Sequence, residues 1–232
     1  MRKLILLILF SVIFCHSQNL KGTYIMEFYN GENEKQNIQN ITKINPIIYG
    51  FLHSKSKTLY SIIESTENKI DSVEVEKDNK KYKVPNIVIT PSNNTIYKDF
   101  KNSLFRKEYS KLGVDFSIKD KLTNFEWIIS DEIIDIKGFM CKKAISKKEK
   151  YEIIAWFCEE IPVNTGPDRF WGLPGLILRI EFGKFSTITI DQIKIIQEEI
   201  NIEEPNNKSK FITLKELKEK EIQMIQERKN EN

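Results

Sequence analysis

The chain has 232 residues, 40% of them hydrophobic and 30% charged, with 36 Lys+Arg against 33 Asp+Glu and a formal net charge of +3. That length and apolar content support one domain with a substantial core, the small mixed charge argues against nucleic acid, and no apolar run reaches the roughly 18 residues of a membrane-spanning helix. With two histidines and three cysteines, a multi-histidine metal site lacks ligands.

Arg2 and Lys3 precede an apolar run over residues 4–14, followed by Cys15-His16-Ser17 and Gln18. A short positive start, about ten apolar residues, and small residues at −3 and −1 form the pattern of a secretory signal peptide over 1–17, cut at Ser17/Gln18. The expected product is one domain over 18–232. Lipidation of Cys15 is the second reading, and Phe14 stands where such signals carry Gly, Ala or Ser. Without the leader the basic count falls to 34 against 33, His53 is the one histidine, and Cys141 and Cys158 are the two cysteines.

Strand patterns then follow in series. Residues 20–29 alternate, with Tyr24, Met26 and Phe28 on one face and Thr23, Glu27 and Tyr29 on the other. Further strands are expected over 47–52, 58–63, 70–75, 86–90 (ending at Pro91) and 96–105. The stretch 125–136 offers Trp127, Ile129, Ile133 and Ile136 as core candidates, and 176–182 and 185–196 close the series. Many strands at about 10-residue spacing without alternating long helices predict a mainly β fold built on an antiparallel sheet. Thr213-Leu-Lys-Glu216 is a capping box, so a solvated C-terminal helix should start there and fray after Gln226.

The segment 136–158 reads as a hairpin around a charged turn. With Glu149-Lys150 as a two-residue loop, partners sum to 299, and Cys141 faces Cys158. In an oxidising compartment a disulfide between them is expected, closing a loop of about 16 residues and contributing on the order of 3 kcal/mol. Two buried free thiols are the alternative. A redox pair is disfavoured because no Cys-x-x-Cys spacing is present.

Residues 161–180 concentrate Pro162, Gly166, Pro167, Gly172, Pro174 and Gly175 around Phe170 and Trp171. Proline fixes φ, and Leu173-Pro174-Gly175 has the sequence of a type II turn. An ordered apolar loop is expected, delivering residues 176–180 as a buried strand, with Phe170 and Trp171 covering the turn.

Gly172-Leu173-Pro174-Gly175-Leu176-Ile177 spells the hexapeptide of the GLPGLI family of Bacteroidota envelope proteins, which this chain resembles. Upstream, Gly138, Cys141 and Ala144 resemble that family's Gly-x-x-Cys-x-x-Ala strand. Ala155, Trp156 and Phe157 resemble its aromatic strand, and Ile161-Pro162 and Gly166-Pro167 the dipeptides that follow. The resemblance is close over 125–190. Where many members carry Lys or Trp after the Gly-Pro, this chain has Asp168-Arg169. The resemblance implies an exported β-rich protein of the periplasm or outer-membrane periphery, associated with TonB-dependent receptor systems. It also implies a likeness to the bowl-like N-terminal domain of a type of peptide-N-glycosidase, and with it a curved antiparallel sheet or half-barrel with a concave face.

As a binding surface the 162–175 loop would present a preorganised Phe and Trp; as core it would plug one end of the sheet, which is the favoured reading. Catalysis has thin support. His53 sits in a surface-like Leu-His-Ser-Lys-Ser context, and Asp131, Glu132 and Asp135 fall among alternating apolar residues. Gly172-x-x-Gly175 lacks the Lys and the helix of a phosphate loop. No catalytic, cofactor or metal residue is assigned. The expected role is a non-catalytic binding or accessory protein, with a lipid- or peptide-binding carrier or an uncharacterised hydrolase as alternatives. A TonB-dependent receptor system or a small apolar ligand is the expected partner.

Overall fold

The computed structural model describes residues 18–29, 43–44, 46–63, 70–77, 79–87, 94–111, 114–146, 152–206 and 210–230. The leader, the Glu149-Lys150 turn and the Pro91 end of the fifth expected strand lie outside the described residues. No described helix is long and apolar enough to cross a membrane.

The strands are β1 (Asn19–Phe28), β2 (Lys43–Ile44), β3 (Ile47–Ser54), β4 (Lys57–Ile62), β5 (Ile70–Lys77), β6 (Lys80–Ile87), β7 (Asn94–Asp99) and β8 (Leu104–Lys111). They continue as β9 (Val114–Lys121), β10 (Ile128–Ile136), β11 (Phe139–Ser146), β12 (Ile153–Cys158), β13 (Leu176–Phe182), β14 (Ser186–Ile196) and β15 (Phe211–Ile212), and helix α1 (Leu214–Asn230) ends the series. One open sheet runs β10-β11-β12-β13-β14-β1-β3-β4-β7-β8-β9-β15, antiparallel except where β15 joins β9. A second sheet holds β2-β6-β5. The fold is mainly β, as the alternation predicts.

Local chemistry accounts for much of this. In β1, Tyr24 is buried while Met26 and Phe28 pack on the core from the same face. The expected strand over 96–105 is in fact the end of β7, a turn, and the start of β8. Asp99 makes that turn by accepting from the Lys101 and Asn102 amides, with Ser103 at φ 50°. The hairpin register holds, because Lys142 pairs with Phe157 and Ser146 with Ile153. Of the core candidates near β10, only Ile136 is fully buried, while Ile129 and Ile133 are about half exposed. β10 is the sheet's edge strand, and Ile129 lines an open cavity there. The capping box forms as expected: Glu216 accepts from the Thr213 amide at 2.6 Å, and Thr213 Oγ1 accepts from the Glu216 amide at 3.2 Å. α1 continues beyond Gln226 to Asn230.

Register sorts the side chains onto two faces. Tyr24, Tyr49, Phe51, His53, Thr58, Tyr60, Ile96 and Lys98 share one and are all buried. The loop between β12 and β13 lies on it, touching β4, β7 and β13, so the sheet curves around that loop. α1 closes the same concave face beside β9, where the Leu214 amide donates to Asp120. On the opposite face of β7–β9, Arg106 pairs with Glu108 and Glu204, and its guanidinium stacks 4.2 Å from the Phe211 ring.

Candidate functional site

The Pro/Gly-rich segment is an internally bonded plug. The Gly172 amide donates to the Asn164 carbonyl at 3.0 Å, Leu176 to Ile161 at 2.9 Å, and Ile177 to Thr165 at 2.9 Å. Phe170 and Leu173 are fully buried, and Phe170 packs 4.9 Å from Phe125 and 5.6 Å from Phe182 between ring centroids. Trp171 is half-buried; its indole donates to the Thr123 carbonyl, and Trp127 donates to the Trp171 carbonyl.

The glycines serve close approach more than turn geometry. Of Gly166, Gly172 and Gly175, only Gly172 has positive φ, at 93°, so the expected type II turn at Leu173-Pro174-Gly175 is not formed. A Cβ on Gly175 would stand 2.1 Å from the Cys158 carbonyl oxygen, and one on Gly166 would stand 2.6 Å from Ile177 Cβ. The loop crosses the β12–β13 hairpin so tightly that only hydrogen fits at these positions.

A buried lysine pins the plug. Lys98 Nζ donates to the Gly166 carbonyl at 2.7 Å and the Phe170 carbonyl at 2.9 Å. Burial pulls its ammonium down to about 7, partly offset by the Asp168 carboxylate. Beside it, His53 Nδ1 lies 2.9 Å from Thr58 Oγ1, which donates to Thr165 Oγ1 at 3.1 Å. Burial, and then the Lys98 charge, lower His53 to about 4, so the ring is neutral at ordinary pH. The surface-like context expected for His53 is therefore wrong: the residue is 3% exposed, because β3 turns it onto the concave face. It faces a threonine pair, not a nucleophile activated for attack.

The other singled-out residues disperse. Trp156 lies on the face away from the plug and donates to Glu181 at 2.8 Å. Pro162 is exposed and Pro167 buried. Asp131 and Asp135 are exposed on β10, and Glu132 pairs with Lys143 at 2.9 Å. Cys141 and Cys158 are both free buried thiols, in contrast to the disulfide expected from their spacing. The β11–β12 ladder ends at Lys142–Phe157, and beyond it Cys141 pairs with Ile134 and Cys158 with Leu176. Burial, with the neighbouring Cys158, pushes the Cys141 thiol up to about 12.

Two cavities flank the plug. One, of about 610 Å³, is lined by Asn124, Trp127, Asn164 and Trp171. The other, of about 450 Å³, lies between the plug, β8 and α1, where Asp168 and Arg169 meet Lys107, Tyr109, Lys218 and Glu221 over an apolar floor that includes Phe105 and Leu217. Tyr109 is pushed up to about 12 by burial and by its hydrogen bond with Glu221. Among the described residues no group of three or more His, Cys, Asp or Glu is placed to hold a metal ion. The second cavity combines both signs of charge with apolar surface, which suits recognition.

Comparison with solved structures gives two crystal forms of PNGF-II. The P21 form matches with a TM-score of 0.53 and 19% identity, covering 88% of this chain and 33% of that one. The C2 form gives 0.48 and 20%, covering 78% and 28%. At this identity the likeness to the P21 form is one of fold, and the chain spans about a third of the PNGF-II chain. No curated protein matches. The family model described as "Protein of unknown function (Porph_ging)" matches residues 53–179, a span that holds Lys98, both cysteines and the hexapeptide at 172–177. The chain belongs to this Porph_ging family.

Proposed function

We propose that the protein is a non-catalytic binding protein of the cell envelope, with GLPGLI-type character, whose concave cavity takes a short peptide-like ligand bearing both charges. The observation that carries this reading is the 450 Å³ cavity, in which the plug, the sheet and the helix each contribute charged groups above an apolar floor. Its lining includes Asp168 and Arg169, the pair in which the chain departs from the GLPGLI pattern. The test is titration of the full chain with zwitterionic tripeptides, followed through the methyl resonances of Ile153 and Leu217. Binding should be lost in Asp168→Asn, which suits the positive φ of 48° at that position. Equal binding by this variant, or none by either protein at millimolar peptide, would contradict the proposal.

Export and association with a TonB-dependent receptor system belong to the same reading, supported by the leader pattern of residues 1–17 and the GLPGLI resemblance. Cell fractionation tests the first, and co-purification of such a receptor with the tagged chain tests the second. An exported chain also carries Cys141 and Cys158 into an oxidising compartment. There, a disulfide oxidant can accept the two electrons released as the thiols lose their protons and join. Because burial suppresses the thiolate, this bond should form during folding and not afterwards. Denatured envelope-derived protein should hold no free thiols, and two free thiols would remove the bond.

A further inference from the structure

The outer face of the sheet, away from the plug, carries a feature that the binding proposal does not use. A trough of about 440 Å³ runs across β14, β1, β3 and β4, with Gly50, Leu52, Leu59, Ser61 and Ile63 along it and Lys21 and Lys194 at its β14 end. Strands spaced about 4.8 Å apart make its crossing about 14 Å long. Gly50 leaves room in the middle for the Ile63 side chain, since a Cβ there would stand 2.9 Å from Ile63 Cγ1. Ile63 is 52% exposed, so the apolar floor opens to solvent.

The two lysines give this trough a polarity. Lys21 and Lys194 are direct register partners, and both are exposed. Neither has an ion-pair partner among the described residues. Like charges directly opposite one another on a sheet face are unfavourable. The nearby carboxylate of Asp191 is engaged by Lys137 at 3.2 Å and by the Thr23 hydroxyl at 3.2 Å. One end of an apolar trough therefore carries two adjacent positive charges with no counter-charge among the described residues, while the far end is hydrocarbon.

We infer that this trough binds a free long-chain carboxylate, its head group between Lys21 and Lys194 and its alkyl chain lying over Leu52, Leu59 and Ile63. The carboxylate compensates both ammonium groups, and the chain covers the exposed floor. A neutral chain would satisfy only the floor, and a small anion only the lysines.

The test is an NMR titration of the full chain with decanoate, with 1-decanol and inorganic phosphate as separate arms. Decanoate should move the Leu52, Leu59 and Ile63 methyl signals and bind about tenfold more tightly than decanol, as two exposed charge pairs allow. Phosphate should leave those methyls unmoved. The double variant Lys21→Gln/Lys194→Gln should erase the difference between decanoate and decanol. Ser61→Trp, which fills the trough and keeps both lysines, should abolish binding of both. Equal binding of decanoate and decanol by the native chain would overturn the assignment. So would decanoate binding unchanged in the double variant, or decanoate shifts confined to Phe105 and Leu217 in the concave cavity.

Discussion

The two faces of the sheet handle polar groups in opposite ways. On the concave face, Lys98, His53, Thr58 and Thr165 are buried, and each is matched to a partner in the plug or on the sheet. On the outer face over β14, β1, β3 and β4, Lys21 and Lys194 stand opposed with no counter-charge among the described residues. Satisfied buried polar groups fix a single arrangement. An exposed apolar trough beside uncompensated charge instead leaves an interaction open. The hexapeptide that dominates the sequence is thus scaffold: it lies in the core of the concave face, and the two sites proposed to bind ligands lie beside it and on the sheet's back.

The contrast can be broken most severely at the closest backbone crossing. Gly175→Ala forces a methyl onto the Cys158 carbonyl and should cost about 3 kcal/mol or more in chemical denaturation. A cost below about 1 kcal/mol would mean that the crossing is loose.

Next comes Lys98→Met, which strands two buried carbonyl acceptors and should cost about 2 kcal/mol at pH 8. It also carries a pH signature. The Lys98 ammonium titrates near 7 in the folded chain, against its ordinary value of 10.5. Between those values the unfolded chain holds the extra proton, so native stability should rise with pH from about 7 towards 10. Below 7 both states are protonated and this contribution is flat. His53 acts in the same direction lower down, with stability falling as pH drops from 6.5 towards 4. Above 10 the buried tyrosines, held protonated in the fold, reverse the slope. Denaturation midpoints measured from pH 7 to 8.5, above the His53 range and below that of the buried thiols, should rise in the native chain and stay nearly level in Lys98→Met; parallel curves would deny Lys98 its role.

Thr165→Val removes the last hydroxyl of the His53–Thr58–Thr165 chain and should cost about 1 kcal/mol. The smallest effect belongs to the outer face. Lys21→Gln relieves a like-charge pair, and stability should stay within about 0.5 kcal/mol of native, on the favourable side. A loss comparable with that of Thr165→Val would show that Lys21 is structurally engaged.

Local signals were readable wherever short-range chemistry decided the outcome. The alternation of β1, the register of the β11–β12 hairpin, the strand after the hexapeptide and the Thr213 cap are all visible in a few adjacent residues. Lys98 was not legible, because Tyr-Lys-Asp-Phe reads as surface. Its one signal is phase, since Lys98 shares the face of Ile96 and so occupies an apolar position in the alternation. His53 was misjudged for the same reason: its burial comes from a loop more than a hundred residues away, through Thr58 and Thr165. Ile129 and Ile133 read as core because their apolar character is local, whereas their half-exposure depends on what covers β10 in the fold. The type II turn expected at Leu173-Pro174-Gly175 does not form, and the constraint on Gly175 is a neighbouring strand's carbonyl, invisible in a tripeptide.

The central claim is that the Pro/Gly-rich segment is part of the core and not a mobile binding loop. Native-state hydrogen exchange at the Phe170, Gly172 and Ile177 amides, all hydrogen-bonded within the plug or to it, tests this most directly. These amides should exchange only through global unfolding, with the same opening free energy as the core strands β1 and β13. Exchange through local openings of far lower free energy, while β1 and β13 stay protected, would contradict it.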